Sequence, residues 1–400
     1  MREKTLELGG KHTMVAGIIA EYNPFHRGHQ WQIAELRRQL GEDTGVICAM
    51  SGNWVQRGDA ALVEKHRRAE MALAGGADLV LELPLCWAVS SAERFAQGGV
   101  QVLQSTGLVD TLVFGSESGD LAALEGMAAY LTSSDYSQRL KEALKTGCSF
   151  AAARQIAMEQ SGLTIWNTVE APNDQLALEY MKALRGSGIT PLAIRRKGAA
   201  HDGEAEDGIA SASQLRQKLL RGENVENFLL PGTSFPPEEL ASLTYGERSI
   251  LASLRRMKAE DFLQLPDCSE GLEHRLEQAA RLATTVDQVC QQAKTKRYAY
   301  ARLRRIVAWS YLGLTKAEFQ RPMAALRVLG ANQKGLELLH QMKKIAALPI
   351  VTKPTAARRM GEDVKAQLEL EARATDLWQL CRKEIGSGGT EWSANPIILK

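Results

Sequence analysis

Residues 15–30, VAGIIAEYNPFHRGHQ, decide how the rest of the chain is read. Val15–Ala20 is an unbroken apolar run that reads as a short buried strand. It ends at Asn23-Pro24, because Pro offers no N–H to a ladder and restricts the residue before it. His26 and His29 bracket Arg27-Gly28, and a helical pattern begins at once through Trp31, Ile33, Leu36, Arg37 and Leu40. The histidines therefore stand on a strand-to-helix turn at a helix N-terminus. Unpaired N–H groups and the positive end of the helix dipole favour phosphate there. Gly28 lets the backbone come close to a ligand. Two imidazoles over a phosphate site can stabilise the charge that develops when a nucleotide's α-phosphate is attacked. Taken alone, the pair also fits two ordinary loop histidines or two ligands of a metal.

Outward from this turn, residues 15–120 alternate apolar runs with helical segments. Strands are expected at 15–20, 45–50, 77–83 and 111–114, and helices from 29, over 61–75 and over 91–105. This predicts an α/β fold: a Rossmann-like parallel sheet with helices on both faces and ligands beyond the strands' carboxyl ends. Residues 120–165 read as a helical insertion and Pro172-Asn173-Asp174 as a turn entering a helix. Pro191–Arg195 reads as a fifth strand and Ser211–Leu220 as a helix. The pattern breaks at Leu230-Pro-Gly-Thr-Ser-Phe-Pro-Pro237. Three parts are expected: an extension at 1–13, a nucleotide-binding domain at 14–230, and a mainly helical, basic region at 231–400 with one more strand near 349–352. Gly386–Gly389 reads as a linker to a last apolar patch, Pro396–Leu399.

The chain has 400 residues, enough for two or three domains, and an ordinary soluble composition. Its 49 Lys/Arg and 47 Asp/Glu divide unevenly: residues 251–400 carry 25 cations against 16 acids, leaving 24 against 31 in residues 1–250. A basic back half raises the expectation of a nucleic-acid surface there, with solvated helix faces as the alternative. Six scattered cysteines without CxxC spacing argue against a zinc site or a disulfide framework and fit a reducing cytosol. No apolar run is long enough to span a bilayer. The first residues lack the apolar core of a signal peptide, so a cytoplasmic location is expected.

Several further motifs carry chemistry. Met50-Ser-Gly-Asn-Trp-Val-Gln-Arg-Gly-Asp59 follows the second strand; Asn53, Gln56, Arg57 and Asp59 suit substrate contact, or the segment is a surface loop. Gly115, at the end of the fourth strand, lets an adenine ring or a ribose approach the backbone, or merely makes a turn. Asn173 can cap its helix. Arg195-Arg196-Lys197 is a run of cations that is either solvated or set against a triphosphate. In Ser211-Ala-Ser213-Gln-Leu-Arg216 either serine caps the helix, the same N-terminus can hold β- and γ-phosphates, and Arg216 would clamp departing pyrophosphate. His201-Asp202 faces the site or only turns the chain. Residues 291–330 hold nine cations and one acid. Lys294, Lys296, Arg297, Arg304 and Arg305, beside Tyr298 and Tyr300, suit phosphate contact and stacking of an unpaired base.

HxGH on such a turn resembles that of the nucleotidyltransferases and class I aminoacyl-tRNA synthetases. The longer string EYNPFHRGH, with KTKRY at 294–298, resembles the bacterial tRNA(Met) cytidine acetate ligases, and the resemblance runs from Val15 to near the C-terminus. It implies an enzyme that uses ATP to join acetate to the N4 amine of the wobble cytidine of elongator tRNA(Met) through acetyl-adenylate. His26 and His29 are then catalytic. ATP contacts are implied at Ile19, Ala20, Glu21, Tyr22, Asn23, Phe25, His26, Gly28, His29, Gly115, Asn173, Arg195, Arg196, Ser211, Ser213 and Arg216. The loop carrying Asn53, Gln56, Arg57 and Asp59 lines the active site, and KTKRY binds tRNA. Mg²⁺ is expected to accompany ATP without a dedicated protein site. The implied partners are tRNA and acetate, with neither a membrane nor an obligatory protein partner. Met14 is expected as the usual start. Two alternatives remain: another adenylyltransferase of this fold, activating acetate as citrate lyase ligase does, and a non-catalytic RNA-binding protein.

Overall fold

The computed structural model describes residues 13–148, 150–161, 171–196 and 210–400. Residues 1–12 of the expected extension, Lys197 and His201-Asp202 lie outside the described residues. Among the described residues ten strands form: β1 Val15–Ala20, β2 Gly45–Ser51, β3 Trp54–Val55, β4 Asp59–Ala60, β5 Leu79–Leu83, β6 Thr111–Ser116, β7 Thr190–Arg195, β8 Leu326–Ala331, β9 Ile350–Val351 and β10 Ile397–Ile398. The main sheet runs β10-β8-β5-β2-β1-β6-β7, with β9 paired to β8, while β3 and β4 make a separate hairpin. The strands β1, β2, β5, β6 and β7 are mutually parallel, and β8 joins β5 antiparallel.

The expected parallel α/β core is present. β1, β2 and β5 are buried almost along their length, which is why they read as continuous apolar runs rather than alternating ones. One face of the sheet packs Ile19, Ile47, Leu79, Leu81 and Leu112 against Phe95, Val102 and Leu103 of the helix Ala92–Ser105. The other packs Ile18, Val46, Cys48 and Val80 against Ile33 and Leu36 of the helix Arg27–Leu40. Order runs from β1 to β2 on one side and from β1 to β6 on the other. The crevice at the carboxyl ends of β1 and its two neighbours is therefore the place where such sheets bind ligands.

The back half is mainly helical, yet it returns three strands to the sheet. The segment near Pro349 is β9, and the apolar patch after the glycine run is β10, which pairs with β8. The sheet thus draws strands from both sides of residue 230. Three tryptophans fasten the helical region to the front loops through indole N–H donors: Trp54 to the Ala374 carbonyl at 2.9 Å, Trp378 to Ala61 at 2.8 Å and Trp309 to Val89 at 2.8 Å. Beneath them Lys65 is fully buried between Glu82 and Glu391, each 2.7 Å away. Burying that charge is tolerable because carboxylates from both halves of the chain compensate it.

Candidate active site

A cavity of about 450 Å³ opens at the crevice beside β1, a size suited to a nucleotide-scale ligand. One wall is the histidine turn. His26 is the N-cap of the helix Arg27–Leu40 and is buried. Its Nδ1 accepts from the Gly28 N–H at 3.0 Å, while the Nδ1 of His29 accepts from the His26 N–H at 3.3 Å. With each Nδ1 taken as an acceptor, the neutral rings carry their protons on Nε2. The rings lie 3.8 Å apart between centroids. Burial, followed by the Arg196 guanidinium, pulls the His26 imidazole down to about 3. Burial, then His26 and Arg196, holds His29 well below its ordinary value. Both rings are thus uncharged hydrogen-bond donors at neutral pH. Tyr22 meets His29 edge-on at 4.9 Å and fixes that ring from behind.

The second wall comes from β6, β7 and two helices. Glu117 and Asp174 clamp β6 to the helix Pro172–Ala183 reciprocally. Asp174 accepts from the N–H groups of Glu117 and Ser118 at 3.0 and 3.1 Å, and Glu117 accepts from the Asp174 N–H at 3.0 Å and from the Asn173 side chain. That clamp brings Gly115 and Asn173 to the cavity. Ser211 caps the helix Ala212–Leu220 in a reciprocal box with Gln214. Arg216 donates to the Asn23 carbonyl at 2.8 Å and to Ser213 Oγ at 3.2 Å. Arg216 therefore ties this helix to the histidine turn while still facing the cavity.

The third wall is the β3–β4 hairpin. Gln56 donates its N–H to Glu21 Oε1 at 2.9 Å and its side-chain N–H to the Ser90 carbonyl at 3.0 Å. Asp59 pairs with Arg304 of the helix Tyr300–Leu312 at 3.1 Å. Between them Gly58 has φ +73°, and a Cβ there would stand 2.7 Å from the backbone of Arg304. Only glycine combines that conformation with so close an approach. The hairpin is seated directly on the basic helix.

Most of the expected residues meet at the cavity: Ile19 to Asn23, His26, Gly28, His29, Gln56, Arg57, Asp59, Gly115, Asn173, Arg196, Ser211, Ser213 and Arg216. Three do not. Phe25 is fully buried beside Gly75 and belongs to the core. Asn53 is buried too: its side chain donates to Thr375 Oγ1 at 3.2 Å and accepts from the Lys65 N–H at 2.8 Å. Arg195 is exposed and packs on Gly119, because alternation along β7 sends Ile194 and Arg196 to the cavity and Arg195 to the other face.

In the basic segment Lys294, Lys296 and Arg297 are exposed. Tyr298 is buried, with its hydroxyl donating to the Glu270 carbonyl at 3.2 Å, so it is not presented for stacking. The Tyr300 hydroxyl is bound to Asp287. Arg304 is engaged by Asp59, and Arg305 is partly buried.

Sequence reasoning missed the apolar lining: Trp31, Phe95, Phe114, Leu176 and Tyr180. Each stands at an ordinary core position of its helix or strand, so periodicity does not distinguish it.

The family described as HIGH Nucleotidyl Transferase matches residues 13–391. The chain is 37% identical to the tRNA(Met) cytidine acetate ligase of Acetivibrio thermocellus, covering 96% of this chain and 100% of the relative. It is 36% identical to the enzyme of the same name from Thermoanaerobacter sp., covering 96% and 99%. The chain belongs to the tRNA(Met) cytidine acetate ligase family. Among solved structures, Thermotoga maritima TmcAL bound with alpha-thio ATP matches this family member with a TM-score of 0.87 and 32% identity, covering 97% of this chain and 100% of that one. The apo form of the same protein matches with a TM-score of 0.89 and 31% identity over the same shares.

Proposed function

We propose that this chain is an ATP-dependent ligase that joins acetate to the N4 amine of the wobble cytidine of elongator tRNA(Met), giving N4-acetylcytidine. The observation that carries this reading is the pair of neutral Nε2 donors at a helix N-terminus, in a cavity whose hairpin wall sits on the basic helix. Adenylation is required because free acetate is unreactive toward an amine whose lone pair is conjugated with the cytosine ring.

In the first half-reaction an acetate oxygen attacks the α-phosphorus of ATP. The new P–O bond forms as the bond to pyrophosphate breaks. His26 and His29 donate from Nε2 to the α-phosphoryl oxygens, where charge accumulates, at no cost of reorganisation. The helix N-terminus at Ser211 and the guanidinium groups of Arg196 and Arg216 take the β- and γ-phosphates as they leave. Gly115 and Asn173 hold the nucleoside. In the second half-reaction the N4 amine attacks the acetyl carbon and AMP departs. Positioning and electrostatics suffice, with no covalent enzyme intermediate. Mg²⁺ would enter with ATP. No three His, Cys, Asp or Glu converge on a metal position among the described residues, and the ion's ligands would be phosphate oxygens and water.

The exposed Lys294, Lys296 and Arg297 are proposed to contact the tRNA backbone. No helix among the described residues is long and apolar enough to cross a membrane. Work in the cytoplasm is proposed on the separate ground that the substrates, tRNA and ATP, are at hand there.

The test is incubation of the purified chain with ATP, labelled acetate and total tRNA, followed by digestion to nucleosides. Labelled N4-acetylcytidine from tRNA(Met) is expected. Acetyl-adenylate without transfer would favour a small-molecule adenylyltransferase, and absence of both would refute a catalytic role.

A further inference from the structure

Transfer of the acetyl group needs a proton acceptor. When N4 attacks the acetyl carbon, the nitrogen becomes cationic and its proton must leave before AMP does, or the adduct reverts. The two histidines cannot take it. Their Nδ1 atoms are occupied by backbone N–H donors at 3.0 and 3.3 Å, and their Nε2 atoms already carry protons. Burial pushes the Tyr180 phenol up, and the Glu21 carboxylate pushes it further, so that group stays protonated. Two acids line the cavity among the described residues, Glu21 and Asp59. Asp59 is held by Arg304 at 3.1 Å.

We propose that Glu21 is the general base of acetyl transfer, accepting the N4 proton as the C–N bond forms. This rests on the function proposed above and goes beyond it, since a resemblance implies no more for Glu21 than contact with ATP. Glu21 follows β1 directly and stands on the hairpin side of the cavity, next to the wall that meets the basic helix. Its backbone is fixed by the fully buried Arg68, whose guanidinium donates to the Glu21 carbonyl at 2.5 Å, to Val63 at 2.9 Å and to Gly52. Its Oε1 is aimed by the Gln56 N–H at 2.9 Å, and its Oε2 accepts no hydrogen bond among the described residues. A fixed carboxylate with one oxygen held and one open is the arrangement a general base needs. The step balances. The N4 lone pair forms the bond to the acetyl carbon, the carbon–oxygen bond to AMP breaks, the electron pair leaves on the phosphate, and the N4 proton passes to Glu21 and then to water. A carboxylate beside N4 also favours cytosine, which donates there, over uracil, which presents an oxygen.

The test is Glu21→Gln, which keeps an oxygen for the Gln56 N–H. Two rates are measured: acetate-dependent ATP–pyrophosphate exchange without tRNA, and single-turnover transfer from acetyl-adenylate to tRNA(Met). Transfer should fall a hundredfold or more, and at least about tenfold further than exchange, whose own change reports any lost contact with ATP. Retained exchange also reports that the variant is folded. Transfer within a few-fold of wild type would overturn the proposal. So would a parallel fall of both rates with a raised KM for ATP, which would make Glu21 a nucleotide contact. If the wild-type chain forms no acetyl-adenylate, the proposed function fails instead.

Discussion

The histidine turn and the basic segment at 294–305 both have an anion as their expected partner, and they are built in opposite ways. On the turn the donors are neutral, largely enclosed and aimed by backbone N–H groups before any ligand arrives. In the basic segment Lys294, Lys296 and Arg297 lie in solvent, while the half-buried cations serve the protein: Arg302 on the Asp267 carbonyl, Arg304 on Asp59. The contrast follows from what each anion asks for. A transition state at one phosphorus needs a few dipoles fixed in place, since reorganisation at the moment of reaction is what costs rate. A polyanion needs several screened charges, each weak and replaceable, that gain affinity by releasing counterions.

The largest effect should therefore come from the turn. His29→Ala removes one Nε2 donor and is expected to slow acetyl-adenylate formation by roughly a hundredfold or more. The helix should survive, because the cap itself is His26. The check is acetate-dependent ATP–pyrophosphate exchange beside a thermal melt, and a folded variant with near-normal exchange would remove His29 from the chemistry.

Enclosing neutral imidazoles also has a stability consequence. The His26 ring sits at about 3 in the folded chain against about 6.5 when unfolded. Between those values the unfolded chain binds more protons, so stability is complete above about pH 6.5 and falls as pH drops toward 3. At pH 5 the loss from His26 is about 2 kcal/mol. Urea midpoints of wild type and His26→Gln at pH 7 and pH 5 should show a shallower acid loss in the variant. Equal slopes would mean that the ring titrates normally.

The same contrast governs what could be read from the sequence. β1, β2, β5 and β6 were legible because a strand buried on both faces is an apolar run with no competing reading. β8 escaped notice because Arg327 interrupts LRVLGA; that arginine is buried, giving its guanidinium to the carbonyls of Val328, Thr352 and Ala394. β10 hid behind a glycine run and has two residues. At the site, the turn was legible because HxGH combines rare residues at fixed spacing. Tyr180 and Phe95 were not, because cavity wall and core make the same demand on a helix. Asn53 and Tyr298 misled in the other direction. A polar residue in a glycine-bearing loop and a tyrosine among cations suggest ligands, yet long-range partners at Thr375 and Glu270 consume them. Such partners lie hundreds or tens of residues away and leave no local trace.

The smallest expected effect separates the two surfaces within one basic segment. Lys296 and Arg297 are exposed and stand before the helix Tyr300–Leu312, whereas Arg304 lies on that helix and holds Asp59 at the cavity wall. Lys296→Ala with Arg297→Ala should weaken tRNA binding several-fold and lower the slope of log affinity against log salt by about 1.5, as two phosphate contacts are lost. Exchange without tRNA should stay near wild type, since neither side chain reaches the cavity. Arg304→Ala should behave differently. Freeing Asp59 loosens the hairpin that bears Gln56 and Arg57, so exchange and transfer should both decline while the salt slope changes little. Filter binding over a salt series, run beside the exchange assay, distinguishes the two patterns. If the double variant keeps the wild-type salt slope, the exposed cations are solvated bystanders and tRNA docks on another face. If it loses exchange as well, the segment supports the cavity, and the division between a rigid turn and a screened surface does not hold.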